Sequence, residues 1–217
     1  MKAKGKRGVC AGVILILVFA LWTFLVLHVD VQPVGQNGTN IGFASVNTRF
    51  HALTGVHMGL YTLTDWLGLV PIAVCLFFGA AGFMQMIRRK SLLRVDADIL
   101  LLGVYYIAVI LAYLVFEMVP VNYRPIPIDG VMEASYPSST TLLVLSVMPT
   151  LAFQANRRAK SGAVRTAATV FAVLFSAFMA VGRLVSGVHW LTDILGAVWL
   201  SAGLYLLYRS AVILTDP

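Results

Sequence analysis

Apolar residues fall in long unbroken runs, separated by short stretches that gather nearly all the charge. The runs lie at Val9–Val29, Trp66–Ile87, Ile99–Val119, Ser138–Phe153, Ala163–Leu184 and Leu191–Tyr208. Crossing a bilayer as a helix takes about 20 apolar residues, so the pattern predicts an all-α bundle of about six transmembrane helices in a single membrane domain, residues 1–217. The fourth run is the shortest and contains Pro149. Between the first two spans, residues 30–65 form a long polar-edged segment that opens on the turn-rich Gln32-Pro33-Val34-Gly35-Gln36-Asn37-Gly38. Phe43, Val46, Phe50, Leu53, His57 and Leu60 then recur at three- and four-residue steps. That period predicts one amphipathic helix lying in the interface.

Composition agrees with this picture. Hydrophobic residues make up 59% of the chain and charged ones only 12%, against about 25% charged in soluble domains. The formal charge of +7 would suit a nucleic-acid binder, but its distribution points elsewhere. Lys2, Lys4, Lys6 and Arg7 precede the first span, Arg88, Arg89, Lys90 and Arg94 follow the second, Arg157, Arg158, Lys160 and Arg165 follow the fourth, and Arg209 follows the sixth. Six crossings put all of these on one side, leaving Arg49, Arg124 and Arg183 on the other. Basic residues mark the cytoplasmic face. The expectation is a multi-pass protein of the plasma (cytoplasmic) membrane with both termini cytoplasmic and no nucleic-acid partner. The first run is longer than the apolar core of a signal peptide and lacks a small-x-small cleavage site, so it reads as a retained anchor. Cys10 and Cys75 fall at different depths, which disfavours a disulfide, and neither has a metal-ligand neighbour. His51 and His57, six apart, point to different faces of a helix. No metal or other cofactor is expected. Gly8-x3-Gly12 and Gly55-x3-Gly59 match a close-packing pattern of membrane helices.

Chemistry concentrates at the outer ends of the spans. Ionisable residues beside a span are costly and mark functional sites. Arg183, His189 and Asp193 follow one another around the link between the last two spans. On a helix, His189 and Asp193 would share a face, and the carboxylate could fix the imidazole tautomer. The third span ends at Glu117 and leads to Asn122-Tyr123-Arg124-Pro125; the fourth opens on Ser135-Tyr136-Pro137-Ser138-Ser139-Thr140. Proline followed by hydroxyl residues is a helix-start pattern, and free N–H groups at such a start attract anions. Arg124, Ser138 to Thr140, Arg183, His189 and Asp193 thus share one membrane depth, which predicts an outward-facing anion site.

These residues resemble the type 2 phosphatidic acid phosphatase (lipid phosphate phosphatase) superfamily, whose three motifs are Lys-x6-Arg-Pro, Pro-Ser-Gly-His and Ser-Arg-x5-His-x3-Asp. The third runs intact from Arg183 through His189 to Asp193, with Gly182 in place of the Ser. The first keeps Arg124-Pro125 but has Glu117 at the Lys position; the second reads Pro137-Ser138-Ser139-Thr140, with Ser139 for Gly and Thr140 for His. The resemblance implies metal-independent phosphoryl transfer to His189, with Asp193 orienting it and Arg124, Arg183, Ser138, Ser139 and nearby amides holding the phosphate. It implies lipid phosphates or prenyl pyrophosphates as substrates, membrane lipids as surroundings, and water or another acceptor in the second step. Thr140, at the position of the family's leaving-group acid, is a poor general acid, so an alkoxide leaving group should suffer more than a phosphate one. A protonated Glu117 is a candidate replacement. The alternative reading is a catalytically impaired relative that binds lipid phosphates as a binding, scaffold or transport protein. A channel or transporter would place its polar residues along the spans or at the midplane, where this sequence has few.

Overall fold

The computed structural model describes residues 2–216. Eight α-helices follow in order: α1 (Lys2–His28), α2 (Ala44–Thr54), α3 (Met58–Leu67), α4 (Leu69–Arg89), α5 (Ala97–Met118), α6 (Ser139–Arg158), α7 (Gly162–Val185) and α8 (Leu191–Thr215). The protein is an all-α, polytopic membrane protein. Five stretches are long and apolar enough to cross: α1, α3 continuing into α4, α5, α7 and α8. Their outward surfaces carry apolar side chains such as Leu17, Phe77, Ile107 and Leu174 in exposed positions, as a lipid-facing surface requires.

The helix α6 differs in kind. It extends five residues beyond the predicted fourth run, to Arg158, and packs against α4, α5, α7 and α8. Ser146, Thr150 and Gln154 lie buried on it. Neighbours engage this face of the helix around Pro149: Tyr106 and Thr150 share a 2.7 Å bond, Gln154 donates to Tyr208 at 2.8 Å, and Tyr105 donates to the Ser146 carbonyl at 2.9 Å, while the Ser146 hydroxyl is without a partner among the described residues. A central helix with protein on every side can be polar where a lipid-facing one cannot.

The helix α1 lies along α8, where a Cβ on Gly12 would stand 3.1 Å from the Gly203 carbonyl oxygen. The backbones meet because both residues lack side chains. Gly59, by contrast, has nothing within 4 Å of its Cβ position.

The outer segment departs from its predicted form. The expected continuous helix over Phe43–Leu60 breaks at Gly55, which caps α2 with φ +69. The next helix starts at Met58, eight residues before the predicted second span, and continues through Gly68 into α4. Thr62 and Thr64 sit within this helix, their hydroxyls bonded back to the Met58 and Leu60 carbonyls. The helix α2 packs on the start of α8: Asn47, fully buried, donates to Thr192 Oγ1 at 3.0 Å and to the Gly42 carbonyl at 2.8 Å.

The far end of the bundle gathers basic residues with acidic partners. Arg158 pairs with Asp96 and Asp98, Arg157 with Asp98 and Asp216, and Arg89 with Asp96. Asp96, just before α5, is held below the usual carboxylate range chiefly by its bond from Arg89. Both cysteines are free.

Candidate active site

The link from α7 to α8 builds the site. Arg183 sits in the last turn of α7, and the chain reverses at Ser186-Gly187. Gly187 has φ +73, and a Cβ there would lie 2.2 Å from the Gly55 carbonyl oxygen. Only glycine fits that conformation and that contact. The outer segment then clamps the link. His51 donates to the Gly187 carbonyl at 3.0 Å, the His57 N–H donates to the Ser186 carbonyl at 3.0 Å, and the Trp190 indole reaches the Tyr123 carbonyl at 2.9 Å.

His189 precedes α8 rather than belonging to it, so it and Asp193 do not meet by helical register. Asp193 instead folds back as a cap: its Oδ2 accepts the Trp190 N–H at 2.9 Å. That brings Oδ2 to 3.7 Å from His189 Nδ1, beyond hydrogen-bond reach. Ser135 fills the gap. Its Oγ lies 3.2 Å from Nδ1 and donates to Asp193 Oδ2. Asn122 adds a contact to Oδ1 at 3.4 Å. Asp193 is fully buried.

The other imidazole nitrogen fixes the tautomer. Arg183 Nη2 lies 3.4 Å from His189 Nε2. A guanidinium only donates, so Nε2 presents a lone pair and the proton resides on Nδ1, aimed at Ser135. Burial, followed by the charges of Arg183 and Arg124, holds the His189 pKa well below the usual histidine value of 6.5. The imidazole is therefore neutral at physiological pH, as a nucleophile must be.

Arg124 and Arg183 converge from separate segments onto Tyr61 of α3, their guanidiniums 5.9 and 4.9 Å from its ring centre. Both are buried, Arg183 to 1% exposure. Each has a carboxylate partner: Glu133 Oε2 is 3.0 Å from Arg124 Nε, an ion pair, and Asp65 Oδ1 is farther, 3.6 Å from Arg183 Nη1. Among the described residues, Arg124 Nε and Nη1 and Arg183 Nε and Nη1 still lack a directed hydrogen bond. Unpaired buried donors are expensive. Two cations holding such donors lie beside the unprotonated imidazole Nε2, an arrangement with the charge and the donors to receive an anion.

The remaining predicted residues divide. Ser138 is buried; its N–H donates to the Asp193 carbonyl and its hydroxyl to Thr141 Oγ1 at 2.9 Å, so it ties α6 to α8 instead of offering a free hydroxyl. Ser139 and Thr140 open the first turn of α6 and line an apolar cavity of about 530 Å³ between α4, α5 and α6, together with Asp65, Leu69, Ile72 and Tyr113. Glu117 is exposed on the last turn of α5 and forms no ion pair among the described residues; both arginines have other carboxylate partners. The sequence reading assigned no role to Ser135, Tyr61, Asp65 or Glu133. A signal existed for the second pair of contacts: Tyr61 and Asp65 stand one helical turn apart at the head of a span, where an acid is costly. Among the described residues, no group of three His, Cys, Asp or Glu side chains is placed to hold a metal ion.

The family model of the PAP2 superfamily matches residues 95–213, more than half of the chain and all of the arginine, histidine and aspartate set. The chain belongs to the PAP2 superfamily. Its fold is similar to a crystal structure described as the first transmembrane PAP2 type phosphatidylglycerolphosphate phosphatase from Bacillus subtilis, with a TM-score of 0.63 over 94% of this chain and 97% of that one. The identity is 18%, so the likeness concerns the fold. No curated protein sequence matches the chain. The matched residues include Arg183, His189 and Asp193.

Proposed function

We propose that this PAP2 protein is a lipid phosphate phosphatase or phosphotransferase, acting on lipid phosphates or prenyl pyrophosphates through a phosphohistidine. The observation that carries this reading is a neutral, buried His189 whose unprotonated Nε2 lies 3.4 Å from Arg183 Nη2, with Arg124 on the same Tyr61 ring and N–H groups on both guanidiniums that make no directed hydrogen bond. Arg124 and Arg183 bind the phosphoryl oxygens, joined by the free amides at the start of α6. Nε2 attacks phosphorus. The imidazole ring then carries positive charge, with Nδ1–H donating to Ser135 and the Ser135 hydroxyl donating to the Asp193 carboxylate, which stabilises that charge. Water or another acceptor attacks the intermediate and regenerates His189. This is catalysis by positioning and charge stabilisation.

The apolar cavity beside the arginines suits the chain of a lipid substrate. With six crossings, α6 included, the distribution of Lys and Arg puts both termini in the cytoplasm and the site on the extracytoplasmic side. His189→Ala should abolish phosphate release from phosphatidic acid and from farnesyl pyrophosphate in detergent micelles. Turnover equal to the parent's would refute the mechanism. The loss of an ionisable side chain at Thr140 favours a second reading, a protein that binds lipid phosphates without turnover. Absence of turnover in the parent, with phosphatidic acid binding that survives His189→Ala, would establish it.

A further inference from the structure

The cleaved bond of a lipid phosphate joins a headgroup held by the arginines to a chain lying in the cavity. A group that protonates the departing oxygen must therefore stand where cradle and cavity meet. Asp65 occupies that position. Its Oδ1 is 3.6 Å from Arg183 Nη1, and Arg183 Nη2 contacts the nucleophilic Nε2 at 3.4 Å. The same carboxyl lines the apolar cavity with Ser139 and Thr140. Among the described residues lining that cavity, Asp65 is the one carboxylic acid.

Two further facts favour it. Thr140 stands beside the backbone of α3: a Cβ on Gly68 would be 3.7 Å from Thr140 Cγ2, while the Gly68 N–H bonds the Asp65 carbonyl at 3.0 Å. Asp65 thus approaches, from the facing helix, the ground covered by residue 140. Its side chain is also 59% exposed, so it is open on the side away from Arg183. Among the described residues, Glu117, on the last turn of α5, forms no ion pair with either arginine.

We infer that Asp65 is the acid–base group for the lipid leaving group, in place of a histidine at position 140. The inference rests on the phosphatase reading above. As the Nε2–P bond forms and the P–O bond to the lipid breaks, the Asp65 carboxyl gives its proton to the departing oxygen, releasing a neutral alcohol. Water then attacks phosphorus, the P–N bond breaks, and the Asp65 carboxylate takes the water's proton. Each cycle consumes one water and restores the acid.

Single-turnover release of the lipid product isolates the first step. Dioleoyl phosphatidic acid has an alkoxide leaving group, whereas farnesyl pyrophosphate releases a phosphate that needs little protonation. Asp65→Asn should slow diacylglycerol release about 100-fold, within the usual range for a positioned acid, and farnesyl phosphate release by only about threefold. Asp65→Glu should recover most of the loss, and adding Thr140→His to Asp65→Asn should restore diacylglycerol release selectively. Equal slowing of both substrates, or an effect confined to KM, would mean that Asp65 only partners Arg183 and would overturn the inference. Such a result leaves the nucleophile untouched, because His189→Ala is inactive with both substrates if the phosphatase reading holds. An inactive parent would defeat that reading, and the role of Asp65 with it.

Discussion

Ser135 joins the two residues that the sequence pairs directly, and its removal has a calculable consequence. In Ser135→Ala the His189 Nδ1 proton faces Asp193 Oδ2 across 3.7 Å with nothing between. The carboxylate keeps its Trp190 N–H at 2.9 Å and its Asn122 contact at 3.4 Å, so Asp193 and the start of α8 stay in place. What is lost is a hydrogen bond that becomes charge-assisted once His189 carries the phosphoryl group. Such bonds contribute about 1.5–3 kcal/mol, and each 1.36 kcal/mol is tenfold in rate. The expected fall in kcat is about 10- to 150-fold. KM should change little, since Arg124 and Arg183 are not altered. The assay is initial phosphate release from phosphatidic acid micelles at saturating substrate, with elution volume and thermal unfolding confirming the fold. Ser135→Thr, which keeps the hydroxyl, should recover most of the rate. A kcat within twofold of the parent would refute the relay, as would a Ser135→Thr no better than Ser135→Ala.

Other expectations concern the cradle, the turn and the altered motif. The Arg124 charge helps hold His189 below its ordinary pKa, so the acid limb of kcat/KM should lie below pH 6.5 in the parent and move upward in Arg124→Gln. Linkage has the same sign: above 6.5 the histidine is neutral folded and unfolded, while below it the unfolded chain takes up the proton first, so this group lowers stability as pH falls. Thermal unfolding between pH 7 and 5 checks that direction, and a rise in stability would contradict it. Gly187→Ala forces a φ of +73 on a residue with a Cβ and drives that Cβ into the Gly55 carbonyl. It should cost more than about 2 kcal/mol, read as a lower midpoint in thermal unfolding, and no change would refute the clamp. Thr140→His alone should change diacylglycerol and farnesyl phosphate release little, because Asp65 already supplies the acid; a selective gain in diacylglycerol release of about tenfold or more would mean that the parent lacks a leaving-group acid.

The helices most legible in the sequence are those that face lipid, because a continuous apolar run is what lipid demands. The helix α6 shows the limit of that signal: surrounded by protein, it carries Ser146, Thr150 and Gln154 and reads as a short, doubtful run. The second crossing begins before its apolar run, because the Thr62 and Thr64 hydroxyls bond to helix carbonyls and so sit within α3. At the site, Arg124, Arg183, His189 and Asp193 were readable because spacing and depth put them together. Their geometry was not. The His189–Asp193 contact arises from a cap folding back on Trp190 instead of a shared helix face. Ser135, Tyr61 and Asp65 come from a loop and a helix distant in sequence, and only the packing of α3 and the outer loop against α7 and α8 brings them in.

The central claim is that His189 becomes phosphorylated. Rapid quench of the protein with ³²P-labelled phosphatidic acid or farnesyl pyrophosphate, followed by alkaline peptide mapping, tests it directly. The account predicts acid-labile, alkali-stable label on the peptide containing His189, attached at Nε2 and absent from His189→Ala. Substrate turnover with no trapped label on that peptide, or equal label in His189→Ala, would contradict it.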